Sequence, residues 1–174
     1  KKIPIENLNN NLFLILDAEK FVASLIKYKK IFSNKIIKYL AKSFLKILLF
    51  NKLNYWKKFK NEKKFDINQN FGKLYQEFWN KFKVNNKKLI MSKSPEWMNW
   101  HMQSIKNSWI ISISDNEIIK GYALCCDRSN NLYDLKRSSI IDVVTENDEK
   151  ELGLSLIHAC IKESVNRGYH IIDM

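Results

Sequence analysis

The spacing of hydrophobic residues changes at Trp109, and this change limits the fold more than any other feature of the sequence. From Trp109 onward the pattern has the two-residue period of β-strands, with a hairpin turn at Asp115-Asn116-Glu117 and a helix that ends at Gly168. The predicted elements are strands at 109–114, 118–126, 138–144 and 169–172 and a helix at 146–167. Strands on either side of a crossover helix pair in parallel, so we expect an α/β (α+β) fold with a mixed sheet flanked by helices.

Before Trp109 the hydrophobic residues mostly recur every three or four positions, which predicts helices. The predicted helices lie at 17–28, 34–50, 67–83 and from Pro95 onward. Asp17 and Ser94 stand where N-caps are expected, and Pro95 suits a first helical turn. A short apolar run at 12–16 predicts one further strand.

The net positive charge of the chain comes from its first third. The net charge is +12, and residues 1–64 hold 16 lysines against four acidic residues, whereas residues 65–174 hold 14 basic and 14 acidic residues. We therefore predict a basic, mainly helical segment at 1–64 and a second unit at 65–174. The basic segment is interpreted as a solvated lysine face, and the alternative is binding to nucleic acid or acidic lipid. Nucleic acid is the less favoured partner because residues 51–64 contain no arginine and no nucleic-acid motif.

The cysteines and histidines favour neither a disulfide framework nor a metal site. Three cysteines, two of them adjacent at Cys125-Cys126, indicate a reducing compartment, so a cytoplasmic protein is expected. The three histidines stand far apart in sequence, and no metal site is predicted. No apolar run reaches the roughly 18–20 residues that a membrane span needs.

Three segments of the second unit resemble a known family. They are Ser94-Pro95-Glu96-Trp97-Met98-Asn99-Trp100-His101, the hairpin Asp115-Asn116-Glu117-Ile118-Ile119-Lys120-Gly121-Tyr122, and Ile140-Ile141-Asp142-Val143-Val144 with its following helix. In this order they resemble the GNAT superfamily of acyl-CoA N-acyltransferases, and more narrowly bacterial proteins with two such domains in tandem. The resemblance covers residues 65–174, and it implies that residues 1–64 are the tail of a preceding domain with a linking helix.

The resemblance implies an enzyme that moves an acyl group from acetyl-CoA or another acyl-CoA to an amine on a small molecule or a protein. Strands 139–145 and 169–173 would diverge around the thioester, and the following helix would receive the pyrophosphate at its N-terminus. The residues implied at the cofactor are Val143, Val144, Thr145, Asn147, Leu152 and Gly153, and those at the substrate cleft are Trp97, Trp100 and Tyr122. Asp142 is a carboxylate inside an apolar strand, so it needs a partner if its side chain is buried. The predicted role is to orient an amine or act as a base, and the alternative is a structural hydrogen bond.

The sequence departs from the family pattern at the pyrophosphate loop. That loop falls on residues 148–153, where Gly153 alone matches the family glycines, and four acidic residues lie around it. Acidic residues in a first helical turn favour helix formation but disfavour a bound anion. This departure is the basis of an alternative function, a non-catalytic protein-interaction module on a degenerate GNAT scaffold.

Overall fold

The computed structural model describes residues 13–29, 39–40, 43, 63–85, 93–129 and 134–174. Most of the predicted helix at 34–50 and most of residues 51–64 lie outside these residues. The described elements are β1 (Phe13–Ile15), α1 (Ala18–Lys29), β2 (Phe65–Asn68), α2 (Lys73–Asn85), α3 (Pro95–Gln103), β3 (Trp109–Asp115), β4 (Ile118–Asp127), β5 (Arg137–Thr145), α4 (Lys150–Asn166) and β6 (Ile171–Asp173).

The strands form one mixed sheet in the order β1-β6-β5-β4-β3-β2. Neighbouring strands are antiparallel except for β5 and β6, which pair in parallel on either side of α4. The predicted α/β fold with a mixed sheet and a parallel closing pair is therefore confirmed. The hairpin between β3 and β4 is also where the sequence placed it, with Asn116 and Glu117 both at positive φ, as a tight hairpin turn requires.

Helices cover both faces of the sheet and make two different cores. One core is aromatic and lies between the sheet and the helices α2 and α3; it contains Phe71, Tyr75, Phe78, Trp79, Phe82, Met98, Met102, Ile110, Ile119, Tyr122, Leu124 and Val144. The other core lies under α4 and contains Trp109, Ile111, Ile113, Ala123, Cys125, Ile140, Leu152, Leu156, Ala159, Cys160, Ile161 and Ile172. The strands β3, β4 and β5 therefore send side chains to both cores in alternation, as the two-residue period predicts.

The connection from β5 to α4 differs from the prediction. The helix was expected from Glu146, but Glu146–Asp148 forms a 3₁₀ turn with Asn147 at φ 60°, and α4 begins at Lys150. The side chain of asparagine tolerates this left-handed conformation better than most residues do, so the chain changes direction here before the helix begins. The predicted end of the helix is confirmed, because Gly168 follows it at φ 74°.

A second difference is β2, which the sequence prediction placed partly inside a helix beginning at residue 67. Phe65–Asn68 instead pairs antiparallel with β3, and α2 begins only at Lys73. Asn68 links β2 to α2 and to β3, because its Nδ2 donates to the hydroxyl oxygens of Tyr75 (3.2 Å) and Ser112 (3.4 Å). Four residues with one aspartate and one asparagine carry too short a pattern to indicate a strand.

The N-terminal strand β1 lies in the same sheet as the rest. It pairs antiparallel with β6, and the backbone N–H groups of Leu16 and Asp17 both donate to the carbonyl oxygen of His170, at 2.8 and 3.1 Å. Asp17 caps α1 as predicted, because its Oδ1 accepts the Lys20 N–H at 3.0 Å. Residues before the predicted boundary at residue 65 thus contribute a strand to this layer, and the division into two units stays a prediction. In the described part of the chain, no helix is long and apolar enough to cross a bilayer.

Candidate functional site

The strand β5 carries a bulge at the centre of the predicted site. Leu124 on β4 pairs with Asp142 and Cys125 pairs with Ile140, so Ile141 is an extra residue on β5. On its other side β5 pairs with β6 at Arg137, Ser138 and Ser139, and residues 140–145 lie beyond these three pairs. Bulges of this kind re-aim side chains and are frequent beside active sites.

Asp142, the predicted acid–base residue, forms an ion pair with Lys93, a residue that no pattern in the sequence indicates. The Nζ of Lys93 donates to its Oδ2 at 2.6 Å, and the two side chains are 22% and 23% exposed. Lys93 directly precedes Ser94, the N-cap of α3, so this contact joins the start of a helix to the bulge of β5. A half-buried carboxylate in an apolar strand requires such a partner.

The three predicted cleft residues occupy different environments. Tyr122 is 3% exposed, and its ring stands edge-on to the rings of Phe71 and Phe78, with centroids 5.2 and 5.8 Å apart. Burial, and next the nearby charge of Asp142, raise the pKa of the Tyr122 hydroxyl. Trp97 is half-buried, whereas Trp100 is 65% exposed. The structure therefore brings Tyr122 close to Asp142 and leaves Trp100 in solvent.

The six residues predicted at the cofactor follow one continuous path from β5 into α4. Val143 packs toward α4, Val144 points into the aromatic core, and Thr145 is buried at the end of β5. Asn147 is exposed in the turn, and Leu152 is a buried residue of α4. Gly153 lies in the first turn of α4, where an added Cβ would meet only Thr145 Cγ2, at 3.9 Å.

The N-terminus of α4 has backbone N–H groups that lack an acceptor within the helix. Glu149 occupies the N-cap position, and its side chain makes no capping hydrogen bond. The N–H of Gly153 donates to the carbonyl oxygen of Glu149 at 3.0 Å. The three preceding N–H groups, those of residues 150–152, therefore have no acceptor within the helix. Backbone groups in this arrangement attract anions.

The acidic residues around this helix start are partly neutralised. Glu146 accepts a hydrogen bond from Lys120 Nζ at 2.9 Å, and this contact raises the pKa of the Lys120 ammonium. Glu146 and Glu149 both line a cleft of about 420 Å³ on the side of the β3–β4 hairpin. Lys63 and Lys64 line the same cleft. These carboxylates thus lie among lysines on the hairpin side of α4, a relationship that spacing in sequence could not reveal.

The cysteines lie in the core. Cys125, Cys126 and Cys160 are all fully buried and free. Burial raises the pKa of the Cys126 thiol, which disfavours the thiolate that a nucleophile would need. In the described residues, no group of three metal-ligating side chains comes together.

Comparison with known proteins gives only distant structural likenesses. No family model matches the sequence, and no curated protein is similar to it. A ribosomal-protein-alanine N-acetyltransferase from Brucella melitensis biovar Abortus 2308 aligns at 11% identity over 61% of this chain and 75% of its own, with a TM-score of 0.45. A glucosamine-6-phosphate N-acetyltransferase from Arabidopsis thaliana aligns at 16% identity over 64% and 82%, with a TM-score of 0.44. A transcriptional regulator from Bacillus halodurans C-125 aligns at 18% identity over 63% and 79%, with a TM-score of 0.46. The fold described above rests on the strand order and register of this chain itself.

Proposed function

We propose that this protein transfers an acyl group from an acyl-CoA to an amine. The observation that carries the proposal is the parallel pairing of β5 and β6, with the N-terminus of α4 directly after β5. An antiparallel or absent pairing would have removed the slot in which the GNAT resemblance expects the thioester. The three sequence segments that resemble the family lie on α3, on the β3–β4 hairpin and on β5.

The helix start fits a phosphate group through its backbone rather than through a glycine-rich loop. The N–H groups of residues 150–152 are free of intrahelical acceptors, and the positive end of the helix dipole adds to their attraction. Lys120 neutralises Glu146, and Lys150 adds a positive charge in the same turn. These features support a pyrophosphate site in spite of the acidic residues, of which Glu149 and Glu151 are exposed.

Asp142 is the residue that we assign to proton removal. An acyl-CoA supplies an activated thioester carbonyl when it is bound, and a neutral amine is the nucleophile that attacks it. A carboxylate held at the bulge of β5 can accept the proton that the amine loses, and the contact with Lys93 Nζ fixes the position of this carboxylate. The rings of Phe71, Tyr75 and Phe78 around Tyr122 exclude water from the core below it.

Isothermal titration of the full chain with coenzyme A and acetyl-CoA tests this proposal. We expect saturable heat with both ligands, and transfer to a primary amine that is lost in Asp142→Asn while binding is kept. Asparagine matches the shape of aspartate but cannot take up a proton, so it separates binding from chemistry. Absence of heat at millimolar ligand would contradict the proposal.

One observation favours a second candidate function, a protein-interaction module without catalysis. Glu149 and Glu151 are exposed at the start of α4, and like charges repel the phosphates of coenzyme A. This candidate predicts no heat with coenzyme A, so the same titration decides between the two functions.

A further inference from the structure

The ion pair between Lys93 and Asp142 places a primary amine at the position where the proposed reaction needs one. The distance from Lys93 Nζ to Asp142 Oδ2 is 2.6 Å, within reach for proton transfer. Each side chain is between one fifth and one quarter exposed, so the pair is in contact with solvent.

The backbone around Lys93 is held in place on its C-terminal side. Ser94 caps α3 through its Oγ, which accepts the Trp97 N–H at 3.4 Å, and the Ser94 carbonyl oxygen accepts the Met98 N–H at 2.9 Å. Pro95 restricts the first turn of the helix further. The lysine is therefore presented to β5 from a fixed point, which favours reaction within the chain over reaction between chains.

We propose that Lys93 is an acyl acceptor, so that the protein acylates its own lysine in cis; this inference rests on the proposed function. Asp142 takes one proton from the Lys93 ammonium, and the neutral Nζ attacks the thioester carbonyl. A C–N bond forms, the C–S bond breaks, and the electron pair of that bond leaves with the thiolate of coenzyme A. The amine loses its second proton to solvent, the thiolate takes up a proton, and Lys93 becomes a neutral amide. No other reactant is needed.

Acylation would also remove the ion pair. An amide nitrogen carries no charge, so Asp142 would lose its partner and become free to receive the amine of a second molecule. The modification would thus change the state of the predicted acid–base residue as well as mark the lysine.

Lys20 provides the internal control for chemical specificity. It also pairs with an aspartate, Asp17, at 3.5 Å, but its side chain is 58% exposed and lies on α1, outside the proposed site. Spontaneous acetylation by acetyl-CoA follows exposure and would modify Lys20 before Lys93. Catalysed acylation requires the reverse order.

The experiment incubates the full 174-residue chain with acetyl-CoA and maps acetylated lysines among its 27 by peptide mass spectrometry over time. We expect occupancy at Lys93 to exceed that at Lys20 by about tenfold or more, because a positioned base contributes at least that much. Lys93→Arg keeps the positive charge and should abolish the modification, Asp142→Asn should reduce its rate about a hundredfold, and Lys20→Arg should leave it unchanged.

Two negative outcomes are distinguishable. If titration shows that acetyl-CoA binds but lysines are modified in order of exposure, or Lys93 is never modified, the inference on Lys93 is overturned and the proposed function stands. If acetyl-CoA does not bind, the proposed function fails and the inference fails with it. Equal rates for the wild type and Asp142→Asn would overturn the role of Asp142 in this step.

Discussion

Gly121 on β4 lies so close to Val144 on β5 that a Cβ at position 121 would stand 2.9 Å from the Val144 carbonyl oxygen. The same Cβ would also stand 3.1 Å from Leu156 Cδ1, on the helix that packs over both strands. The β4 strand, the β5 strand and α4 therefore meet at a point where only glycine fits. This point lies one residue before the end of β5, next to the predicted cofactor residues.

Gly121→Ala should destabilise the protein, because the two closest atoms belong to a backbone carbonyl and a fully buried leucine. Overpacking of this kind costs about 1–3 kcal/mol of unfolding free energy. Urea unfolding followed by circular dichroism measures the loss. An unchanged urea midpoint would show that β4 and β5 can move apart without loss of stability, and it would contradict the close contact between position 121 and the Val144 carbonyl oxygen.

Gly153→Ala should increase the unfolding free energy of the protein. Its Cβ would make only an ordinary contact, 3.9 Å from Thr145 Cγ2, and alanine favours a helix over glycine by about 0.5–1 kcal/mol. The affinity for coenzyme A should nevertheless fall, because the proposed pyrophosphate approaches the backbone here. Urea unfolding and calorimetric titration of the same variant give the two values. A stabilised variant with unchanged affinity would contradict a cofactor role for Gly153.

The buried hydroxyls of Ser138 and Ser164 should behave as a coupled pair. Ser138 Oγ donates to Ser164 Oγ at 2.9 Å, and both side chains are fully buried between β5 and α4. Each alanine variant should lose about 1–3 kcal/mol, because it leaves the remaining hydroxyl without this partner. The double variant should lose less than the sum of the two, which a double-mutant cycle in urea measures. Strictly additive losses would show that the pair does not interact.

Protonation of His170 should weaken the fold at mildly acidic pH. Burial lowers the pKa of its imidazole below the ordinary 6.5, with the positive charge of Lys20 as the next cause, and its Nδ1 accepts the Lys136 N–H at 3.3 Å. The unfolded chain binds this proton more readily than the folded chain does. The stabilisation is therefore complete above about pH 6.5 and is lost as pH falls toward the lower folded pKa.

His170→Asn tests this explanation, because the asparagine oxygen can accept the same N–H without titrating. The unfolding free energy of the variant should change less than that of the wild type between about pH 7.5 and pH 5. Asp17, Asp134 and Lys136 also act on His170, and they are common to both proteins. Equal pH slopes for the two proteins would assign the acid sensitivity to other groups.

Most of the fold could be predicted from local patterns. The strands β3, β4 and β5, the hairpin, the caps at Asp17 and Ser94 and the end of α4 at Gly168 all depend on residues that are close in sequence. The parallel pairing followed from a general rule for strand–helix–strand units. The strand β2 could not be predicted, because its stability comes from pairing with β3 and from the contacts of Asn68, not from its own four residues.

For each ion pair of the candidate site, the sequence indicated the acidic residue but not its lysine partner. Asp142 was identified because a carboxylate is unusual in an apolar strand, but Lys93 lies 49 positions away and resembles any other lysine of the chain. Lys120 likewise gave no signal as the partner of Glu146. The acidic residues of the β5–α4 turn could be counted in the sequence, but the side of the helix on which they lie depends on Asn147 and the turn that it makes.

The pairing of β1 with β6 decides how the molecule can be cut for biochemical work. A recombinant fragment that starts at residue 65 would lack β1, the partner of β6 on one side. The β6 strand would then be an edge strand, with unpaired backbone groups beside Ile171 and Ile172. Unpaired edge strands of this kind can pair with other chains, so such a fragment should precipitate or self-associate. A recombinant protein that includes β1 keeps β6 paired on both sides.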